Sequence, residues 1–188
     1  TDRRSVDEAR VTEAEALSLY GTPIVSAFKA QENLIRLSSD TRVTSQLAAL
    51  LNYSRSKSGY SQERTLIYNV LSVNSLDTND IRQLGSAANM QTSYYNVFTS
   101  FADDDALKLH LDTVIGKPVT ETERLRDLVL ASPLGQPINI DPQSWFETAT
   151  ERINLFKKAE DGLADRLLET IDGIQKESRD ALIAVIAF

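Results

Sequence analysis

The chain has 188 residues, 20 basic and 27 acidic side chains, and a formal net charge of −7. That length suits one domain with a core of its own, and the acidic balance leaves no diffuse positive field to hold nucleic acid or an anionic membrane surface. With no cysteine there are no disulfides, thiolate nucleophiles or thiolate metal sites, and a single histidine, His110, leaves little imidazole chemistry. Seven glycines and five prolines are too few for a sandwich or barrel, which needs a turn roughly every 8–12 residues. Apolar residues recur at spacings of three and four, and no segment alternates with period two. The fold class expected is all-α, an antiparallel helical bundle forming one unit over residues 1–188.

In chain order, Thr1-Asp2-Arg3-Arg4 carries neither an initiator methionine nor an apolar leader, which reads as a piece of a larger protein. Thr12 and Glu15 form a capping box for a first helix through Leu17, Tyr20, Ile24, Phe28, Ile35 and Leu37, with Pro23 kinking or splitting it near Gly21. Ser39-Asp40 ends that helix and caps a second, from about Thr41 to Ser72. Asp77 caps a third, with Ile81, Leu84, Ala88, Tyr95 and Phe98 on one face. Asp103 to Asp105 start a short helix that stops at Gly116-Lys117-Pro118. Thr120 and Glu123 read as another capping box, for a helix ending before Pro133. Ser132 to Ile140 is the one sizeable loop. Asp141 then caps a helix with Pro142 in its first turn, and the pattern Phe146, Ala149, Ile153, Phe156, Leu163, Leu167, Ile171, Ile174 runs to Phe188. About 45 residues at ~1.5 Å rise span nearly 70 Å, more than a compact bundle needs, so this helix is expected to project toward another module. The terminal run Ala181 to Phe188 is apolar throughout. It reads either as the start of a membrane-crossing helix or as a helix end packed in a core or dimer seam.

The second helix carries the informative departure. Stepping by seven from Val43 gives Leu50, Lys57, Arg64 and Leu71; from Leu47, Ser54, Ser61 and Tyr68; from Leu51, Ser58, Thr65 and Ser72. A seam that is apolar at both ends turns basic and hydroxylic in its middle. A guanidinium buried there needs a negative partner, and Arg64 can give two parallel hydrogen bonds to a planar oxyanion, whereas Lys57 is a point charge. The functional reading is a small anion pocket. The bland one is that Glu63, Glu123 or another carboxylate neutralises Arg64, or that water does. Arg124, Arg126 and Arg152 are further basic candidates whose ordinary role is ion pairing on a wet surface. Trp145-Phe146 reads as a hydrophobic plug, and His110 as a surface or boundary residue. No Ser-His-Asp order, glycine-rich phosphate loop, HExxH or calcium loop occurs, so neither an enzyme nor a metal or cofactor site is expected.

Three segments, Ser5 to Tyr20, Leu50 to Arg64 and Trp145 to Ile153 (Trp-Phe-Glu-Thr-Ala-Thr-Glu-Arg-Ile), resemble the nitrate- and nitrite-sensing (NIT) domain in order and spacing, and the similarity extends across nearly all of the chain. The resemblance implies a helical, usually dimeric input module of a bacterial chemoreceptor, sensor kinase, cyclase or antiterminator, in which inward-facing arginines hold nitrate or nitrite. Gln62-Glu63-Arg64 matches a Glu-Arg motif of the family, and Arg124 or Arg126 a second arginine. Ser61 or Lys57 is expected to help, and a homodimer and an output module beyond Phe188 are the expected partners. Two departures are noted: an earlier Gln-Arg-Glu-Arg-Gly-like helix is expected to be missing before Thr1, and Thr65 stands where Gly or Ala is common. Together with the absent cysteines, the apolar terminus favours a periplasmic setting. The alternatives are a ligand-free dimerisation and relay bundle, or a bundle sensor for another small acid such as an amino acid.

Overall fold

The computed structural model describes the backbone of residues 26–186 and the side chains of residues 26–180 and 183. Among the described residues there are six helices and no strand: α1 (26–37), α2 (Thr41–Val73), α3 (Thr78–Phe101), α4 (Asp104–Thr113), α5 (Lys117–Leu130) and α6 (Pro142–Ile186). The Thr12–Glu15 capping box, the Pro23 kink and Phe188 lie outside the described residues.

Aspartates start most of the helices. Asp40 accepts from the backbone N–H of Arg42 at 2.8 Å and of Val43 at 3.4 Å, Asp77 and Asp80 cap α3 reciprocally, Asp103 accepts from Ala106 N–H at 2.7 Å, and Asp141 from Ser144 N–H at 2.8 Å. Each satisfies N–H groups that the first turn leaves without a partner. The α5 start departs from expectation. It begins at Lys117, with Gly116 at φ 96° as the N-cap residue and Pro118 in the first turn. Gly116 adopts a backbone that side chains disfavour and Pro118 is pre-set for a helix, so Thr120 falls inside, its hydroxyl donating to the Lys117 carbonyl.

α2 and α6 run antiparallel along the centre of the bundle. Arg64 meets Phe146 and Thr150, Lys57 meets Glu160, and Arg42 at the start of α2 reaches Glu177 at 3.5 Å. α3 packs along α2, while α4 and α5 pack in succession along α6. Arg55 fastens α1 through an ion pair with Glu32 and by lying over the Phe28 ring, and it also lies over Tyr94 of α3.

Two apolar clusters form the interior. One joins Leu47, Leu50, Tyr53, Phe98, Ala106, Phe156, Ala159 and Leu163 beneath α4. The other joins Ile67, Val70, Leu76, Leu84, Leu125, Val129, Trp145 and Ala149 beneath α5. The buried face of α3 passes through Leu84, Ala87, Gln91 and Phe98; the expected Ala88 and Ile81 are exposed. α6 is as long as expected, its last described buried residue is Leu167, and it continues to Ile186. No helix among the described residues is long and apolar enough to cross a membrane.

Candidate functional site

Between the two apolar clusters lies a layer of buried polar side chains, contributed by the helices that meet there. On α6 the buried stripe reads Trp145, Ala149, Arg152, Phe156, Ala159, Leu163, Leu167, spacings of three and four that hold one face of a helix. Arg152 therefore occupies a core position, only 5% exposed. Glu63 holds the corresponding place on α2, 3% exposed, and Gln91 and Thr122 are the buried polar residues of α3 and α5. The Thr122 hydroxyl is satisfied by the Pro118 carbonyl at 2.6 Å.

The charges of this layer are incompletely paired. The Arg152 guanidinium stacks 4.4 Å over the Tyr60 ring and lies 6.0 Å from the centroid of Phe156. Its Nη2 is 3.5 Å from Glu123 Oε1, and that carboxylate side chain is 46% exposed. Among the described residues its Nε and Nη1 are buried without any hydrogen-bond partner. Such groups cost about 1–3 kcal/mol each when left unsatisfied. Arg126 gives Nε and Nη2 to Asp127 at 3.2 and 3.1 Å and faces Glu63 Oε1 across 4.0 Å, too far for a hydrogen bond. Burial pushes the Glu63 carboxyl above the usual carboxylate range, with Arg126 and Arg152 pulling the other way. Burial likewise raises the Tyr60 phenol, opposed by Arg152.

The expected site residues separate into two groups. Arg64 is half-buried on the neighbouring face of α2. Its Nη1 donates to Thr150 Oγ1 at 2.9 Å and its guanidinium lies 4.5 Å over the Phe146 ring. Its Nε is buried without a partner among the described residues, and burial lowers its pKa. The two carboxylates considered as its neutralisers, Glu63 and Glu123, face Arg126 and Arg152 instead. Arg126 thus lies in the polar layer and Arg64 beside it. Lys57 is ion-paired with Glu160, which also accepts from the Ser54 hydroxyl, and Ser61 donates to its own helix at the Lys57 carbonyl. Arg124 is exposed and held by both oxygens of Glu121 at 2.8 and 2.7 Å. The structure does not bring these three into the layer.

Sequence reasoning kept Arg152 among the basic candidates, with an ion pair on a wet surface as its ordinary role, and overlooked Tyr60 and Gln91. The available signal was the three–four stepping from Trp145 to Phe156. His110 is half-buried, the boundary residue expected; it packs among Tyr53, Tyr95, Phe98 and Phe156, is hydrogen-bonded through Nδ1 to Tyr53 Oη at 2.8 Å, and burial lowers its pKa to about 4. Trp145 is the expected plug, fully buried with its indole N–H donating to the Arg64 carbonyl at 2.9 Å. Among the described residues no three His, Asp or Glu side chains group as a metal site would require.

A bundle with an under-neutralised arginine at its centre is suited to an oxyanion, because a guanidinium offers flat, paired N–H donors in a water-poor setting. No curated protein and no solved structure matches the chain. A family model for nitrate and nitrite sensing matches residues 2–168. Because the match starts at residue 2, the expectation that the family's earlier part is missing before Thr1 is not supported. Covering most of the sequence, the match shows that this chain belongs to the nitrate- and nitrite-sensing (NIT) domain family.

Proposed function

We propose that the domain binds nitrate or nitrite in the polar layer, with Arg152 as the principal contact and Arg126 as the second cation. The observation that carries this reading is the Arg152 guanidinium, 5% exposed with two N–H groups unpartnered among the described residues. A planar oxyanion supplies the missing acceptors and the missing charge together. Glu123, half in water and 3.5 Å away, is a weak resident partner that an incoming anion can displace. Arg64 adds positive field from the adjoining face of α2. Lys57, Ser61 and Arg124 already have partners inside the protein, and the reading does not use them.

Signalling follows from where the cations stand. Arg152 belongs to α6 and Arg126 to α5, so an anion held by both favours one arrangement of these helices against α2. A ligand shifts such an equilibrium only by its difference in affinity for the two arrangements. α6 continues past its last described buried residue to Ile186, and its displacement is the output. The role is non-catalytic, within a homodimeric receptor whose output module follows α6 and whose sensor lies in the periplasm.

Calorimetric titration with nitrate, nitrite and chloride at constant ionic strength tests the reading. Nitrate or nitrite should bind saturably and chloride at least tenfold more weakly. Arg152→Met should lose the binding, and Arg64→Ala should weaken it only a few-fold. Equal binding by wild type and Arg152→Met overturns the assignment. If no anion binds or alters thermal stability, the relay-bundle reading replaces it.

A further inference from the structure

Resting on the anion reading above, we infer that Glu63 is an internal counter-ion that makes the domain take up a proton together with its anion, so that sensing depends on pH. Glu63 occupies a core position of α2, is 3% exposed, and looks directly at the guanidinium of Arg126 across 4.0 Å without a hydrogen bond to it. The groups facing it come from every neighbouring element. α2 contributes Tyr60, α3 the neutral Gln91, α5 contributes Arg126 and Asp127 with Glu123 nearby, and α6 contributes Arg152. Of the carboxylates, Asp127 and Glu123 are substantially exposed and screened by water, whereas Glu63 is not.

In the free protein Glu63 shares Arg126 and Arg152 as its compensating charges. An anion seated on those cations takes them over, leaving two negative charges in one buried layer. Like charges that share a site cannot both remain ionised cheaply, and the titratable one responds by protonating. Nitrate is the anion of a strong acid and keeps its charge, so the proton goes to Glu63. Burial already raises the carboxyl in the free state, and the bound anion raises it further.

The sign follows from linkage. Below the free-state pKa Glu63 is already protonated, and above the bound-state pKa it stays ionised in both states. Between the two values binding takes up close to one proton, and apparent affinity falls by up to tenfold per unit rise in pH. A layer without this carboxylate would bind nitrate with no such slope.

The test is calorimetric nitrate titration of the whole chain across pH 4.5–8, in buffers of different ionisation enthalpy, for wild type, Glu63→Gln and Glu121→Gln. The expected results are proton uptake approaching one per nitrate in wild type within the window, and tighter binding at the lower pH. Glu63→Gln should show a flat profile and no uptake, with affinity at or above the best wild-type value. Glu121→Gln, on the exposed side of α5, should keep the wild-type slope. Nitrate binding with no proton uptake and no pH slope in wild type overturns the inference and leaves the anion reading standing, and that measurement does not depend on Glu63→Gln folding. A slope that persists in Glu63→Gln also overturns it. Absence of nitrate binding at every pH overturns the anion reading and this inference with it.

Discussion

Replacing Arg152 by methionine separates a binding role from a structural one. Methionine keeps the unbranched stem under Tyr60 and removes the guanidinium. The change forfeits the pair with Glu123, worth about 0–1 kcal/mol because that carboxylate is half in water, and the stacking over Tyr60 at 4.4 Å, worth about 1–2 kcal/mol. It also withdraws one of the two cations that offset the buried charge of Glu63, a further loss of about 1 kcal/mol. Against this, two buried N–H groups without partners disappear, a relief of about 1–3 kcal/mol each. At mid-range, losses of about 3 kcal/mol stand against a relief of about 4 kcal/mol, so the balance is a gain of about 1 kcal/mol, in the direction found where buried ion pairs give way to apolar side chains. For a chain of this length about 1 kcal/mol moves Tm by roughly 2–4 °C. In nitrate-free buffer Arg152→Met should therefore melt about 2–4 °C above the wild type by scanning calorimetry. Saturating nitrate should raise Tm of wild type alone, by about 2.7 kcal/mol equivalent at 100 Kd. A fall in Tm of more than about 4 °C without nitrate would refute the reasoning, because it would make the guanidinium a structural element whose N–H groups are satisfied.

Gly59→Ala should destabilise by about 1–3 kcal/mol in urea titration despite the better helix propensity of alanine, since the new Cβ would stand 2.9 Å from Gln91 Cγ and 3.0 Å from its backbone nitrogen. Trp145→Phe removes the indole hydrogen bond to the Arg64 carbonyl and leaves a cavity where a fully buried ring stood, and should cost about 1–3 kcal/mol, with a smaller change in nitrate affinity than Arg152→Met gives. His110 is held neutral by burial, its pKa lowered to about 4 from 6.5. The unfolded chain therefore binds the proton first, and stability should decline as pH falls from about 6.5 toward 4. His110→Gln should flatten that segment of the Tm–pH curve, and an unchanged slope would assign the loss to other groups.

The helix boundaries set by local chemistry were legible. Asp40, Asp77, Asp103 and Asp141 each act within three residues of themselves, so their caps could be read without the fold. The α5 start was misread because Gly116 and Pro118 outweigh a Thr120–Glu123 pair that resembles a cap. Stepping by sevens singled out Lys57 and Arg64 and passed over Glu63 for a geometric reason. Stepping by sevens from Val43 to Arg64 covers three heptads, and each drifts about 20° from a straight helix face. Along the row Leu50 and Leu71 are buried while Lys57 and Arg64 stand half-buried on the core's flank, and Glu63, one position before Arg64, is inside. The three–four stripe through Trp145, Ala149, Arg152 and Phe156 does not accumulate this drift. The boundary position of His110 was legible, but its partner Tyr53 is 57 residues away and no local pattern announces that contact.

The most direct measurement is the 15N–1H resonance of the Arg152 side-chain Nε, assigned by its absence in Arg152→Met and followed during nitrate titration of the wild-type chain. The account predicts a large, saturable shift with the same Kd that calorimetry gives, and a smaller one for Arg64. If nitrate binds while the Arg152 signal stays in place, the guanidinium in the polar layer is not the anion's ligand and the account is contradicted.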